Sequence, residues 1–175
     1  MSSDPNSGVA IDLATTRAVV TGSTRGLGEA IARDLAARGA AVVVNGTYRE
    51  RCEAIAEQIG GRAVAGSVAE ESTADELIAA CCESFDGIDL LVNNAGVTRD
   101  GMLHQIAPEG FDEVIAVDLR GAWLASRAAA AVMRKSGGGA IVNVSSGTRP
   151  VWQPGAEQLR GRRGRDLGAD PRPLA

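Results

Sequence analysis

The chain alternates two hydrophobic periods. Short runs that are apolar on both faces stand at Arg17–Thr21 (RAVVT), Ala41–Asn45 (AVVVN), Ile88–Asn93 (IDLLVN) and Ala140–Val144 (AIVNV), with a weaker run at Arg62–Gly66. Between them lie segments of helical period. The first puts Leu27, Ala30, Ile31 and Leu35 on one face and is stopped by Gly39. The next run from Arg49 to Ile59, from Glu70 to Phe85, and from about Pro108 to Lys135. A strand that is apolar on both faces must be covered on both sides, and alternation with helices supplies that cover. The pattern predicts a parallel sheet between helical layers. Right-handed crossovers then give a doubly wound α/β sheet, here ending after its fifth strand.

Composition narrows the function classes. The 175 residues suit one domain, and 45% apolar content argues against a disordered chain. A net charge of −4 disfavours a nucleic-acid binder, which would usually carry a basic face. No run reaches 18 apolar residues, so no membrane-spanning helix is expected. Met1 to Gly8 has neither the basic nor the apolar region of a signal peptide. The cysteines are Cys52, Cys81 and Cys82, an odd set without CxxC spacing. They read as reduced thiols, packed as small hydrophobes, in a cytoplasmic protein.

The expected organisation is a flexible segment over 1–12, an incomplete nucleotide-binding domain over 13–149, and an unstructured tail over 150–175. The tail holds four of the six prolines and five Arg against three acids, with no apolar period.

Thr21–Gly28 reads TGSTRGLG between a predicted strand and a predicted helix. Its glycines let the backbone turn sharply, approach a pyrophosphate and pack the helix on the sheet. The free amides and dipole of the helix N-terminus favour phosphate. Asn93-Asn94-Ala95-Gly96 follows the fourth strand, and Ile141–Ser146 (IVNVSS) ends the fifth. Together these motifs resemble the short-chain dehydrogenase/reductase family, over about Leu13 to Arg149. The likeness is greatest to 3-oxoacyl-carrier-protein reductases.

The resemblance implies a Rossmann-like fold and a set of roles. Gly22, Ser23, Thr24, Arg25, Gly26 and Gly28 would wrap the cofactor's phosphates and adenosine ribose. Asn94, Ala95 and Gly96 would line the cleft, and Ser67 and Val68 would meet the adenine. Ser146 would hydrogen-bond the substrate oxygen as a catalytic residue. Asp118 (in VDLRGAW) stands where the family carries a catalytic-site Asn. The substrate would be a small-molecule or acyl-carrier-bound ketone, alcohol or 3-oxoacyl group. The family assembles as homo-oligomers, its long helix packing on a partner subunit. Here that helix carries Gly121, Ala122, Ala125, Ala128 and Ala129, and assembly is doubtful for a chain ending early.

The cofactor is expected to be NADP rather than NAD. An NAD site usually offers a carboxylate to the ribose 2′-hydroxyl just after the second strand. Gly46-Thr47 occupies that place, and Thr47 is counted in the cofactor site. No acid comes before Glu50, whereas Arg25 and Arg49 flank it. A guanidinium suits a 2′-phosphate in charge and fork geometry.

One feature sets this chain apart from the family. The family's proton donor is a Tyr, thirteen residues after the Ser, with a Lys four residues later lowering its pKa. Those positions are Leu159 and Arg163. The single Tyr is Tyr48 and the single Lys is Lys135, neither placed to substitute. A one-base shift in the reading frame from Trp152 permits a family-like segment with Tyr at position 159, though it restores no Lys. A lost or frameshifted C-terminal part is therefore expected, leaving the chain inactive as written. The alternative is a non-catalytic dinucleotide-binding or interaction protein. His104 reads as a solvated loop residue.

Overall fold

A computed structural model describes residues 13–145 and Leu159–Arg160. The segments 1–12, 146–158 and 161–175 lie outside the described residues, and with them Ser146 and most of the tail.

Five parallel strands form one sheet in the order β3-β2-β1-β4-β6. They are β1 (Arg17–Val20), β2 (Ala41–Gly46), β3 (Arg62–Ala65), β4 (Leu90–Asn93) and β6 (Ala140–Asn143). The helices α1 (Gly26–Ala37), α2 (Arg49–Ile59) and α3 (Glu71–Phe85) connect the first four. The doubly wound sheet expected from the two periods is therefore present. Two-residue strands β5 (Thr98–Arg99) and β7 (Leu159–Arg160) pair antiparallel. Part of the segment expected to lack structure thus meets the loop after β4.

Strand alternation sorts the core into two layers. Val19, Val43 and Leu91 face α3 and, in the long helix, α5 (Ala122–Met133), with Leu77, Ile88, Ala125, Ala129 and Met133. Ala18, Val20, Val42, Leu90 and Val92 face α1 with Ala32 and Leu35. Both sets are buried because successive side chains on each strand point to opposite faces. Leu77 is fully buried, so Leu77→Ala costs about 2–5 kcal/mol.

One expectation about a helix face is corrected, and the long helix shows which of its small residues pack inward. On α1 the buried residues are Gly28, Ala32 and Leu35, while Leu27 is 60% exposed and Ala30 is also exposed. Gly28 faces inward, where a Cβ would meet the Asn94 side chain and the Gly22 carbonyl, and Leu27, one residue earlier, points to solvent. On the long helix, Gly121, Ala125 and Ala129 pack inward, within this chain's own core. A Cβ on Gly121 would lie 2.7 Å from Val68 Cγ2. Gly121, Ala125 and Ala129 let the helix approach the sheet and α3, while Ala122 and Ala128 are half-buried.

The long helix is also not uniform. It comprises α4 (Pro108–Val114), a π-helical stretch Ile115–Gly121, and α5 (Ala122–Met133). The wider π turn shifts the helical phase between its two halves. Phe111, Ile115, Leu119 and Trp123 form an exposed stripe at intervals of four along this element. β6 is the sheet edge, with Val142 47% exposed.

Candidate cofactor cleft

After β1 the chain moves outward to β2 and β3, then returns to place β4 on the other side of β1. The strand order reverses between β1 and β4, the place beyond the strands' C-terminal ends where open α/β sheets form their ligand crevice. Both glycine-containing motifs lie at that point.

The two motifs interlock. Thr21 Oγ1 accepts hydrogen bonds from the backbone N–H groups of Asn94 and Ala95, both at 3.0 Å. Asn94 Nδ2 donates back to the carbonyls of Thr21 and Gly22, also at 3.0 Å. Gly22 has φ of +62°, and a Cβ there would lie 2.7 Å from Ala95 Cα. A Cβ on Gly28 would overlap Asn94 Nδ2 and the Gly22 carbonyl oxygen. Glycine is required at both positions by backbone angle or by close approach.

Asn45 braces the turn from the other side. Its Oδ1 accepts from the Gly22 amide at 3.2 Å, and its Nδ2 donates to the carbonyls of Val64 and Gly66. This buried Asn links β1, β2 and β3, and sequence reading did not single it out. The available signal was a polar residue ending the apolar run AVVVN. Cys52 lies beneath the same corner, its Sγ donating to the Gly46 carbonyl at 3.4 Å. Burial pushes that thiol's pKa up.

The proposed phosphate residues divide by what remains free to bind. Ser23 is fully buried; its hydroxyl donates to the Val20 carbonyl at 2.7 Å, and its amide donates to the Asn45 carbonyl at 2.8 Å. Ser23 therefore shapes the turn and does not face the crevice. Gly26 opens α1, with Arg25 as N-cap and no side chain bonded to the helix start. The first amides of a helix have no intrahelical acceptor, so these are the donors available to an anion. Arg25 is exposed.

The remaining residues ring this point. A Cβ on Gly46 would lie 2.7 Å from Thr24 Oγ1, so the end of β2 abuts the turn, and exposed Thr47 follows. Ser67 Oγ accepts from the Ala69 amide at 3.3 Å. Val68 is 5% exposed, and its side chain packs under Gly121. Ala95 and Gly96 are half-buried at the crevice wall. Asp118 Oδ1 accepts from the Val97 amide at 2.8 Å. Asn93 Nδ2 donates to Ser126 Oγ and Asn143 Oδ1, both at 2.9 Å, joining β4, α5 and β6. Tyr48 stands 66% exposed before α2, and Lys135 lies just past α5. Among the described residues no group of His, Cys, Asp or Glu could hold a metal ion. None of the described helices is long and apolar enough to cross a membrane.

An open parallel sheet with a glycine turn and an uncapped helix start at its switch point defines a Rossmann-like protein. The family model described as short chain dehydrogenase matches residues 16–156, and the chain belongs to that family. It is 44% identical over 142 residues to an uncharacterized oxidoreductase of Mycobacterium bovis, covering 79% of this chain and 58% of that one. It is 39% identical over 134 residues to the 3-oxoacyl-[acyl-carrier-protein] reductase FabG of Aquifex aeolicus, covering 73% and 54%. The crystal structure of a putative short-chain alcohol dehydrogenase from Sinorhizobium meliloti matches with a TM-score of 0.72 at 36% identity, over 81% of this chain and 58% of that one. The chain thus spans between half and three fifths of the length of these relatives.

Proposed function

We propose that this chain carries the cofactor half of an NADP(H)-dependent oxidoreductase site, built for a ketone, alcohol or 3-oxoacyl substrate. The carrying observation is the turn clamped between Asn45 and Asn94, which presents the uncapped start of α1 to the crevice. Arg25 at that start and Arg49 at the start of α2 favour a 2′-phosphate, and Thr47 offers no carboxylate to oppose it. A nicotinamide cofactor would supply hydride at its ring when bound. The backbone of Thr24, Arg25, Gly26 and Gly28 would hold its phosphates, and Ala95 and Gly96 would border it. Ser146 would hold the substrate oxygen, with Asp118 fixing the loop beside it.

Turnover by this chain is expected to be absent, since Leu159 and Arg163 stand where the family places its proton donor and the cation beside it. Leucine can neither give nor take a proton. That substitution favours the second reading, a dinucleotide-binding protein without catalysis. Titration with NADPH and NADH, followed by assay with a 3-oxoacyl thioester, separates the possibilities. Tighter NADPH binding without turnover is expected. Turnover would overturn the loss of catalysis, and tighter NADH binding would overturn the cofactor preference.

A further inference from the structure

We infer that Leu159–Arg160 straps the loop after β4, and that this strap and a dinucleotide bound in the crevice stabilise each other. The inference rests on the dinucleotide-binding reading above and gives a role to a segment that reading did not use.

The loop is pinned in stages along its length. Thr21 Oγ1 accepts from the amides of Asn94 and Ala95, and Asp118 Oδ1 accepts from that of Val97. Past Val97 the chain forms β5, which α4 meets from one side. Arg99 pairs there with Glu113 at 2.5 Å. Gly110 of α4 lies against the same side chain, since a Cβ on it would stand 3.6 Å from Arg99 Cγ. On its paired edge, Thr98 aligns with Arg160 and Arg99 with Leu159, in antiparallel register. Thus α4 holds β5 through the Arg99 side chain, and β7 holds it through backbone.

The strap stands close to the proposed binding surface. Ala95 and Thr98 are three residues apart, so at most about 11 Å separates them. A paired strand lies about 5 Å further on. The Arg160 backbone is therefore within about 16 Å of the wall that Ala95 and Gly96 form. Thr98 and Arg99 are exposed, and a ladder of two residues in water opens readily. Ordering a backbone segment costs conformational entropy. A wall already ordered by the strap spares the ligand part of that cost, and a bound ligand spares the strap in the same measure. Leu159–Arg160 is in this arrangement a positioning segment that touches neither cofactor nor substrate.

The test uses the full chain, with hydrogen exchange read at 98–99 and 159–160 and calorimetric titration with NADPH. NADPH is expected to slow exchange at both segments by about fivefold. The double variant Leu159→Pro, Arg160→Pro lacks the strand's amide donors and is expected to bind NADPH about fivefold more weakly. The double variant Leu159→Ala, Arg160→Ala keeps the backbone pairing and is expected to bind as the unaltered chain does. Circular dichroism confirms that each variant folds. Undiminished or tighter binding by the proline variant overturns the inference and leaves the dinucleotide-binding reading intact. So does an equal loss in the alanine variant, or exchange at 159–160 that bound NADPH does not slow. Failure of the unaltered chain to bind NADPH or NADH overturns both.

Discussion

Asp118 Oδ1 accepts the Val97 backbone N–H at 2.8 Å, tying the π-helical stretch to the loop that follows β4. The family resemblance implies Asn at this position, and an ionised Asp cannot donate. The bond observed needs only an acceptor, which an Asp and an Asn side chain both offer.

Asp118→Asn should therefore leave the loop in place, and Asp118→Ala should release it. The alanine variant is expected to lose about 1 kcal/mol, with faster hydrogen exchange at the Val97 amide. Equal exchange in all three proteins would show that the bond does not hold the loop.

Gly28→Ala should destabilise the chain by about 1–3 kcal/mol or more, because the new methyl group meets backbone and the Asn94 amide. Leu27→Ala, one residue earlier on the exposed side of α1, should cost within about 0.5 kcal/mol. Chemical denaturation of the two variants checks which face of α1 is packed. A larger cost for Leu27→Ala would reverse the assignment.

Arg17 and Asp89 clamp the opposite end of β1 and β4. Arg17 Nε and a terminal guanidinium nitrogen each donate to Asp89 at 2.7 Å, and the Arg17 amide donates to the same carboxylate. The Arg17 hydrogen bond holds the Asp89 pKa below its ordinary value. A depressed folded pKa contributes stability above the unfolded carboxylate value of about 3.9, lost as pH falls through the lower folded pKa. The stability gap between the natural chain and Asp89→Asn should be constant near neutrality and shrink below about pH 4. A gap that widens toward acid would contradict the clamp.

β6 offers an uncharged edge. Val142 and Ile141 are 47% and 38% exposed, and no charged residue lies between Lys135 and Arg149. The Ala140 and Val144 amides bond to β4, so those of Ile141 and Asn143 point outward. Such an edge templates association. Ile141→Lys should increase the monomeric fraction in sedimentation velocity; an unchanged distribution would show the edge is covered.

Much of this fold was legible in the sequence. The runs RAVVT, AVVVN, LLVN and AIVN became β1, β2, β4 and β6, and the helix over Arg49–Ile59 has the expected bounds. These signals are local, since hydrophobic period and glycine punctuation act over a few residues. The face of α1 was not legible, because apolar size pointed to Leu27 while close packing selected Gly28. Nor was the role of Ser23, whose hydroxyl turns inward to the Val20 carbonyl and not toward the crevice.

By itself, the sequence determined the doubly wound class, the place of the glycine turn, and the absence of Tyr and Lys at 159 and 163. Only the tertiary structure decided what those motifs do to one another. Asn94 reaches Thr21 across 73 positions, and Asp89 reaches Arg17 across 72. Both pairings exist because the strand order sets β4 beside β1, a relation that no local period encodes. The same order brings α1 and α2 side by side, where Arg33 on α1 bonds Gln58 on α2.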